Sequence, residues 1–173
     1  MLKTVQINST NVNNEELKRI YETAFTGVEQ YPYPNIVRII KENGEHCDYT
    51  AYYDGDLLVG FTMVYKLKRF NFGAYFAVRE DLRGKGYGQN ILTSLLEKYS
   101  KSNPFIIGAE SPLEENAPNP EIRKRRHNFF IRLGLRDTGI SYNYNGVLFT
   151  IMSNSNEPFS QKDFDEINST LPE

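Results

Sequence analysis

The stretch Arg83-Gly84-Lys85-Gly86-Tyr87-Gly88 is the part of this chain best suited to chemistry. Glycines at alternate positions let the backbone adopt unusual φ and bring its amides close to a ligand. A strand pattern ending at Val78 precedes the stretch, and a helix pattern opens around Gln89. The first amides of a helix lack intrahelical acceptors and carry the positive end of its dipole. Loop and helix start together make an anion site matched to a phosphate or pyrophosphate. Arg83 and Lys85 add charge at the same place. Two nucleotide motifs fail on spacing. A P-loop requires Ser or Thr after Gly-Lys, whereas Lys85 is followed by Gly86. The dinucleotide fingerprint needs a third glycine where Gln89 stands, and it follows the first strand of a doubly wound sheet rather than a meander. The plain alternative is a tight strand-to-helix turn with solvated charges.

Composition removes several other chemistries. One cysteine (Cys47) and two histidines (His46, His127) cannot make an intramolecular disulfide or a four-ligand Cys/His zinc site. His46 and Cys47 are adjacent in an extended segment, so they point to opposite faces and do not form a nucleophilic dyad. The formal charge of -2 gives no bulk field toward nucleic acid, although Arg123, Lys124, Arg125, Arg126, Arg132 and Arg136 form a basic run. That run is expected to be mostly a solvated helix face. No run of 18 apolar residues occurs, which excludes a membrane-spanning helix, and residues 1–10 do not resemble a secretory start. A single thiol then suggests a reducing, cytoplasmic setting.

These residues need elements to hold them. Val5 to Ile7 reads as a first strand, and residues 15–25 as a helix with Leu17, Ile20, Tyr21, Ala24 and Phe25 on one stripe, capped from Ser9, Thr10 or Asn11. A Pro-broken segment leads to a second helix over 35–42. Three strands follow, at 48–53, 57–65 and 70–78, with a type I′ turn at Asp54-Gly55 and strict alternation of Phe70, Phe72, Ala74, Phe76 and Val78. After the glycine loop come a helix, a short strand over 104–109 and a third strong helix over 121–133. Strand-helix-strand at this length implies a right-handed parallel crossover. Asn145-Gly146 marks a second type I′ hairpin, and Ser160 with Asp163 fits a capping box for a last helix. The expectation is one α/β domain over 1–173 with a mixed sheet: an antiparallel meander, a parallel β-α-β crossover and a C-terminal hairpin. Its core spans about 3–153, and 154–173 form a helical tail.

Arg83-Gly84-Lys85-Gly86-Tyr87-Gly88 resembles the Gln/Arg-x-x-Gly-x-Gly/Ala signature of the GNAT acyltransferases, and the order of elements resembles that fold. The resemblance implies acetyl-CoA as co-substrate and no metal. By similarity, the amides of Arg83, Gly84, Lys85, Gly86, Tyr87 and Gly88, with Gln89 in the first turn, hold the pyrophosphate. The edge of Phe76, Ala77 and Val78 pairs with the pantetheine, and one of its amides polarises the thioester carbonyl. Asn128 is a further candidate for the pantetheine, off the family's usual spacing. The segment Phe130-Ile131-Arg132-Leu133-Gly134-Leu135 aligns with the family's Tyr-x-x-x-Gly-Phe, so Phe130 stands where many members keep a Tyr that protonates the leaving thiolate. Tyr142 or Tyr144 could take that role. Glu110, at the end of the 104–109 strand, is the candidate general base. Glu114 and Glu115 extend its charge, or are a plain polar loop. Tyr31 and Tyr33 fall in the segment that walls the acceptor site in the family.

The implied function is direct acetyl transfer from acetyl-CoA to a primary amine of a small molecule or peptide, with no nucleic acid or membrane partner. Homodimers are frequent in the family. The alternative is an acyl-CoA-binding sensor or partner-binding module with weakened catalysis, for which Phe130 speaks. A nucleic-acid-binding reading rests on the basic run alone.

Overall fold

The computed structural model describes residues 1–27 and 30–171. Hairpin chemistry sets the first half of its sheet. β1 (Lys3–Ile7) pairs antiparallel with β2 (Cys47–Asp54), β2 with β3 (Leu57–Lys66), and β3 with β4 (Asn71–Val78). Asp54 pairs with Leu57, so the turn between β2 and β3 is Gly55-Asp56 rather than Asp54-Gly55. Of these two only Gly55 has positive φ, at 60°, which is the type II′ pattern in place of the expected type I′. Asn145 and Gly146 both take positive φ, 48° and 86°, and make the expected type I′ turn between β6 (Arg136–Tyr144) and β7 (Val147–Ser153). β5 (Phe105–Glu110) pairs parallel with β4 and antiparallel with β7, giving the order β1-β2-β3-β4-β5-β7-β6. Meander, crossover and C-terminal hairpin are all present in one mixed sheet.

Helices cover both faces. α1 (Glu15–Ala24) is capped by Asn14, which accepts from the amides of Glu16 and Leu17, not by the earlier Ser9, Thr10 or Asn11. α2 (Tyr33–Asn43) begins before the expected residue 35 because Pro34 lies in its first turn, where a missing N–H removes no helix bond. Leu17, Tyr21, Ile36 and Ile40 pack on the sheet face that carries Tyr49, Phe61 and Met63. α3 (Tyr87–Lys98) and α4 (Pro120–Arg132) lie on the opposite face, with Leu92, Leu95 and Phe130 against Val64, Phe105 and Ile107. α5 (Gln161–Thr170) has the full capping box of Ser160 and Asp163 and packs over Ile106 and Ile151.

One irregularity decides the geometry of the centre. Val64 pairs with Gly73 and Met63 with Tyr75, so Ala74 is an extra residue in β4. Such a bulge bends its strand and breaks the two-residue alternation. Phe72 and Tyr75 consequently pack with the α1 side, while Phe76 turns to the α4 side against Phe129 and Phe130. The alternation expected from Phe70 through Val78 therefore changes phase at Ala74.

Candidate functional site

β4 and β5 are hydrogen-bonded neighbours only along Asn71–Gly73 and Phe105–Ile107. Beyond Gly73 the bulge carries β4 away, and Tyr75 to Val78 pair with β3 on one side alone. A cavity of about 920 Å³ fills the opening, lined by Phe76, Ala77 and Val78 from β4 and by Gly108, Ala109 and Glu110 from β5. Arg83 lies at one end of it, where its Nε donates to the Val78 carbonyl over 3.2 Å.

The loop after β4 holds Gly84 at φ 76° and Gly86 at φ 86°, a region that L side chains rarely enter. Gly86 is the N-cap of α3, and no side chain satisfies the first amides of that helix. Uncapped amides, a left-handed cap and nearby Arg83 are the donor set an anionic phosphate needs. Gly88 differs from its neighbours. A methyl group there would meet Phe129 and Val78 at 3.6 Å, ordinary contact, so this position demands no glycine. Tyr87 sends its hydroxyl away to Asp54, donating over 2.7 Å, and contributes its backbone to the loop. Lys85 and Gln89 are exposed at the same end.

Glu110 lines the cavity at the end of β5. It does not stand alone there. Arg123, 2% exposed, places Nε 2.8 Å from Glu110 Oε2 and donates the same nitrogen to Asn119 Oδ1. Its Nη1 donates to the Ser111 carbonyl and to Glu114. Asn119 donates to Glu110 over 3.3 Å, and Arg126 Nη1 lies 3.8 Å from Oε1. The Arg123 guanidinium, and after it the Leu148 amide, hold the Glu114 carboxyl below its usual range. Glu114 thus ties the start of α4 to β7 and is not a free acid at the cleft. Glu115 does not line the cavity. Arg123, expected among solvated cations, is instead a buried tie between two carboxylates. Nothing local in the sequence separates Arg123 from Lys124 and Arg125.

The tyrosines divide. Tyr142 lines the cavity, with its ring stacked 4.4 Å from Phe164 and 5.3 Å from Phe149. A methyl group on Gly108 would come within 2.2 Å of its hydroxyl, so that glycine is what admits the hydroxyl over β5. Tyr144 and Tyr31 line the same cavity and share a hydrogen bond of 3.0 Å. That bond, and then burial, push the Tyr144 phenol up to about 12. Tyr33 is elsewhere. It is 4% exposed in the core, donates to the Val12 carbonyl and shares a hydrogen bond with Tyr49, because the first turn of α2 points it into the α1 packing. Asn128 is exposed on α4 and is not part of the lining. Phe130 is buried against Phe76 and Phe129 at the wall, with no hydroxyl to offer. Cys47 is buried outside the cavity, and burial pushes its thiol up to about 12. Among the described residues, no group of three or more His, Cys, Asp or Glu is placed to hold a metal, and no helix is long and apolar enough to cross a membrane.

One further wall has no local signature in the sequence. α5 contributes Phe164, Ile167 and Asn168, and Leu171 follows, closing the cavity end farthest from Arg83. The spacing 164, 167, 171 behind a capping box is an apolar helical stripe, yet nothing local says what it covers.

A model of the GNAT family of acetyltransferases matches residues 14–110. No curated protein sequence matches the chain. Among solved structures, a GNAT-family protein of Bacteroides thetaiotaomicron superposes with a TM-score of 0.76 at 23% identity, covering 98% of this chain and 95% of that one. An aminoglycoside 6'-N-acetyltransferase complexed with coenzyme A gives 0.69 at 17%, covering 92% and 99%. A GNAT family acetyltransferase of Elizabethkingia anophelis with acetyl-CoA bound gives 0.61 at 11%, covering 88% and 96%. At such identities the likeness is one of fold.

Proposed function

The chain belongs to the GNAT family of acetyltransferases, and on that premise we propose that it moves an acetyl group from acetyl-CoA directly to the primary amine of a small molecule or peptide. One observation carries this reading: the bulged edge of β4, Arg83 of the glycine loop and the carboxylate of Glu110 open onto a single cavity. The residues present fit the co-substrate. Two left-handed glycines and uncapped helix amides suit its phosphates, and the unpaired edge at Phe76 to Val78 suits its amide-bearing arm.

Acetyl-CoA supplies the activated acyl group. The chain supplies position and charge. Backbone amides of residues 83–88 hold the pyrophosphate, and an amide of Phe76 to Val78 stabilises the thioester oxygen as charge grows on it. Glu110 takes one proton of the acceptor ammonium through a water, the freed nitrogen forms the new C–N bond as the C–S bond breaks, and the second proton that the nitrogen loses returns through water to the tyrosine that protonates the sulfur. Arg123 and Asn119 keep the Glu110 carboxylate in place for that step. Tyr142 or Tyr144 returns a proton to the departing sulfur in place of the hydroxyl that Phe130 lacks. A thiol with pKa about 8.5 leaves tolerably even unaided.

Phe130 also supports a second reading, an acyl-CoA-binding module with weakened catalysis, since losing a general acid typically costs roughly 10²–10⁴-fold. Two measurements separate the readings. Acetyl-CoA at 100 times Kd should stabilise the protein by about 2.7 kcal/mol; no stabilisation would sink both. Release of CoA thiol with any primary amine identifies the enzyme, and stabilisation without release across amines and peptides identifies the module.

A further inference from the structure

The far end of the cavity has a character of its own. Phe25 from the end of α1, Ile36 from α2, Tyr65 and Tyr75 from the sheet, and Phe164 and Ile167 from α5 all line it. Its polar atoms are phenols and side-chain amides: Tyr31 and Tyr144 share one hydrogen bond, and Asn35, Asn143 and Asn168 stand at the margins. Glu110 is the one carboxylate among the described lining residues, and both its oxygens already face guanidinium groups, Arg123 at 2.8 Å and Arg126 at 3.8 Å. Against it the lining carries the cations Arg83, Arg125 and Arg126.

That balance discriminates among amines. Each ammonium taken out of water needs a carboxylate or an equivalent set of acceptors to offset its desolvation. A polyamine or aminoglycoside would bring several, and this cavity has no uncommitted carboxylate among its described residues to meet them. The arginines of the described lining suit the anionic co-substrate, and the residues described at the α5 end include no carboxylate. An aromatic body, by contrast, gains area burial and ring-to-ring contact with the tyrosines and phenylalanines. Their π faces and hydroxyls also suit one amine at the edge of the cage.

Resting on the acetyl-transfer reading above, we infer that the acceptor is a monoamine: one primary amine on an aromatic body, with no second cationic group. α5 is the wall that selects it. Phe164 stacks on Tyr142, and the helix is pinned by the ion pair of Arg69 with Asp163 and by Phe159 packing 5.2 Å from Phe70.

The test compares 2-phenylethylamine, n-butylamine, spermidine and kanamycin by kcat/KM, read as CoA thiol release. The expected order places 2-phenylethylamine first and at least about tenfold above spermidine, the scale on which one misplaced group in a pocket is felt. Spermidine or kanamycin matching or exceeding 2-phenylethylamine overturns the inference. Asn168→Asp adds a carboxylate at the α5 margin with almost no change of shape. It should raise the spermidine to 2-phenylethylamine ratio by about threefold or more; an unchanged ratio means the α5 wall does not select the acceptor. Calorimetric titration of the same amines into protein saturated with CoA ranks them without turnover, and tighter binding of spermidine overturns the inference there too. Failure of acetyl-CoA to stabilise the protein would remove the acetyl-transfer reading, while amine titration into the protein alone would still rank the cavity's preference.

Discussion

At the Arg83 end of the cavity, the groups offered to the proposed co-substrate are backbone: a strand edge, two left-handed glycines and uncapped helix amides. At the α5 end they are side chains brought from α1, α2, β6 and α5. The first kind of site is written in a few consecutive residues, because φ preferences and helix starts are local. The second exists only once distant elements have packed. Glu110 and Arg123 sit at the junction of the two and belong to both kinds, a side-chain pair fixed to the end of a strand.

The sharpest way to break this picture is at that junction. Arg123→Ala removes a side chain that is 2% exposed and leaves Glu110 and Glu114 without their shared partner, and the loss should exceed the roughly 0–1 kcal/mol of a solvent-exposed pair. Urea unfolding at pH 7 measures it; a loss under about 1 kcal/mol would show that the carboxylates are solvated and that the two ends are not joined there. Next in size is Glu110→Gln. Losing a general base lowers turnover roughly 10²-fold or more at neutral pH and moves the rise of the pH–rate profile upward, as the amine must then arrive already deprotonated. A pH profile identical to that of the wild type removes Glu110 as the base.

The backbone character of the Arg83 end can be tested by two neighbouring glycines. Gly86→Val forces a branched side chain to φ 86°, a strain of about 1–3 kcal/mol, and should weaken acetyl-CoA binding by about tenfold. Gly88→Ala puts a methyl into ordinary contact with Phe129 and Val78, and binding should change by less than about twofold. Equal losses by calorimetry would mean that crowding, not backbone conformation, governs this end. The smallest effect is at the aromatic end. The Tyr144 phenol titrates higher folded than unfolded, so its contribution is intact below its ordinary pKa of about 10 and disappears as pH climbs from there toward 12. Tyr144→Phe removes the bond to Tyr31, worth about 1 kcal/mol, at pH 8. The difference between wild type and variant in urea melts should narrow by pH 11, and a constant difference would show that the bond to Tyr31 does not hold the Tyr144 phenol up.

How much of this was legible depends on the range of the forces involved. Asn145-Gly146 and the Ser160–Asp163 box appear as expected because their bonds close within a few residues. The meander, the parallel crossover and the C-terminal hairpin followed from short links and one glycine loop, whereas the pairings of β1 with β2 and of β5 with β7 join segments far apart in the chain and leave no local sign. The bulge at Ala74 was hidden: Phe70, Phe72, Ala74, Phe76 and Val78 alternate without interruption, and only the register against Met63 and Val64 shows the extra residue. Arg123 looked like its neighbours Lys124 and Arg125 because burial of a cation depends on carboxylates supplied from elsewhere in the chain, here β5 and the loop after it. The Pro-broken sequence around Tyr33 suggests a loop wall, whereas Pro34 draws Tyr33 into the first turn of α2 and so into the core. For α5 the stripe of Phe164, Ile167 and Leu171 was visible, but its destination was set by Arg69, Phe70 and Tyr142.

The position of α5 has a consequence for how such a protein diverges. The helix follows the glycine loop, the β4 edge and Glu110 in the chain, and it meets the cavity only at the end remote from Arg83. Substitutions at Phe164, Ile167 or Asn168 therefore reshape that end while leaving the phosphate-facing backbone unchanged. On the proposed reading, the choice of acceptor can change through a single helix while the co-substrate loop stays as it is.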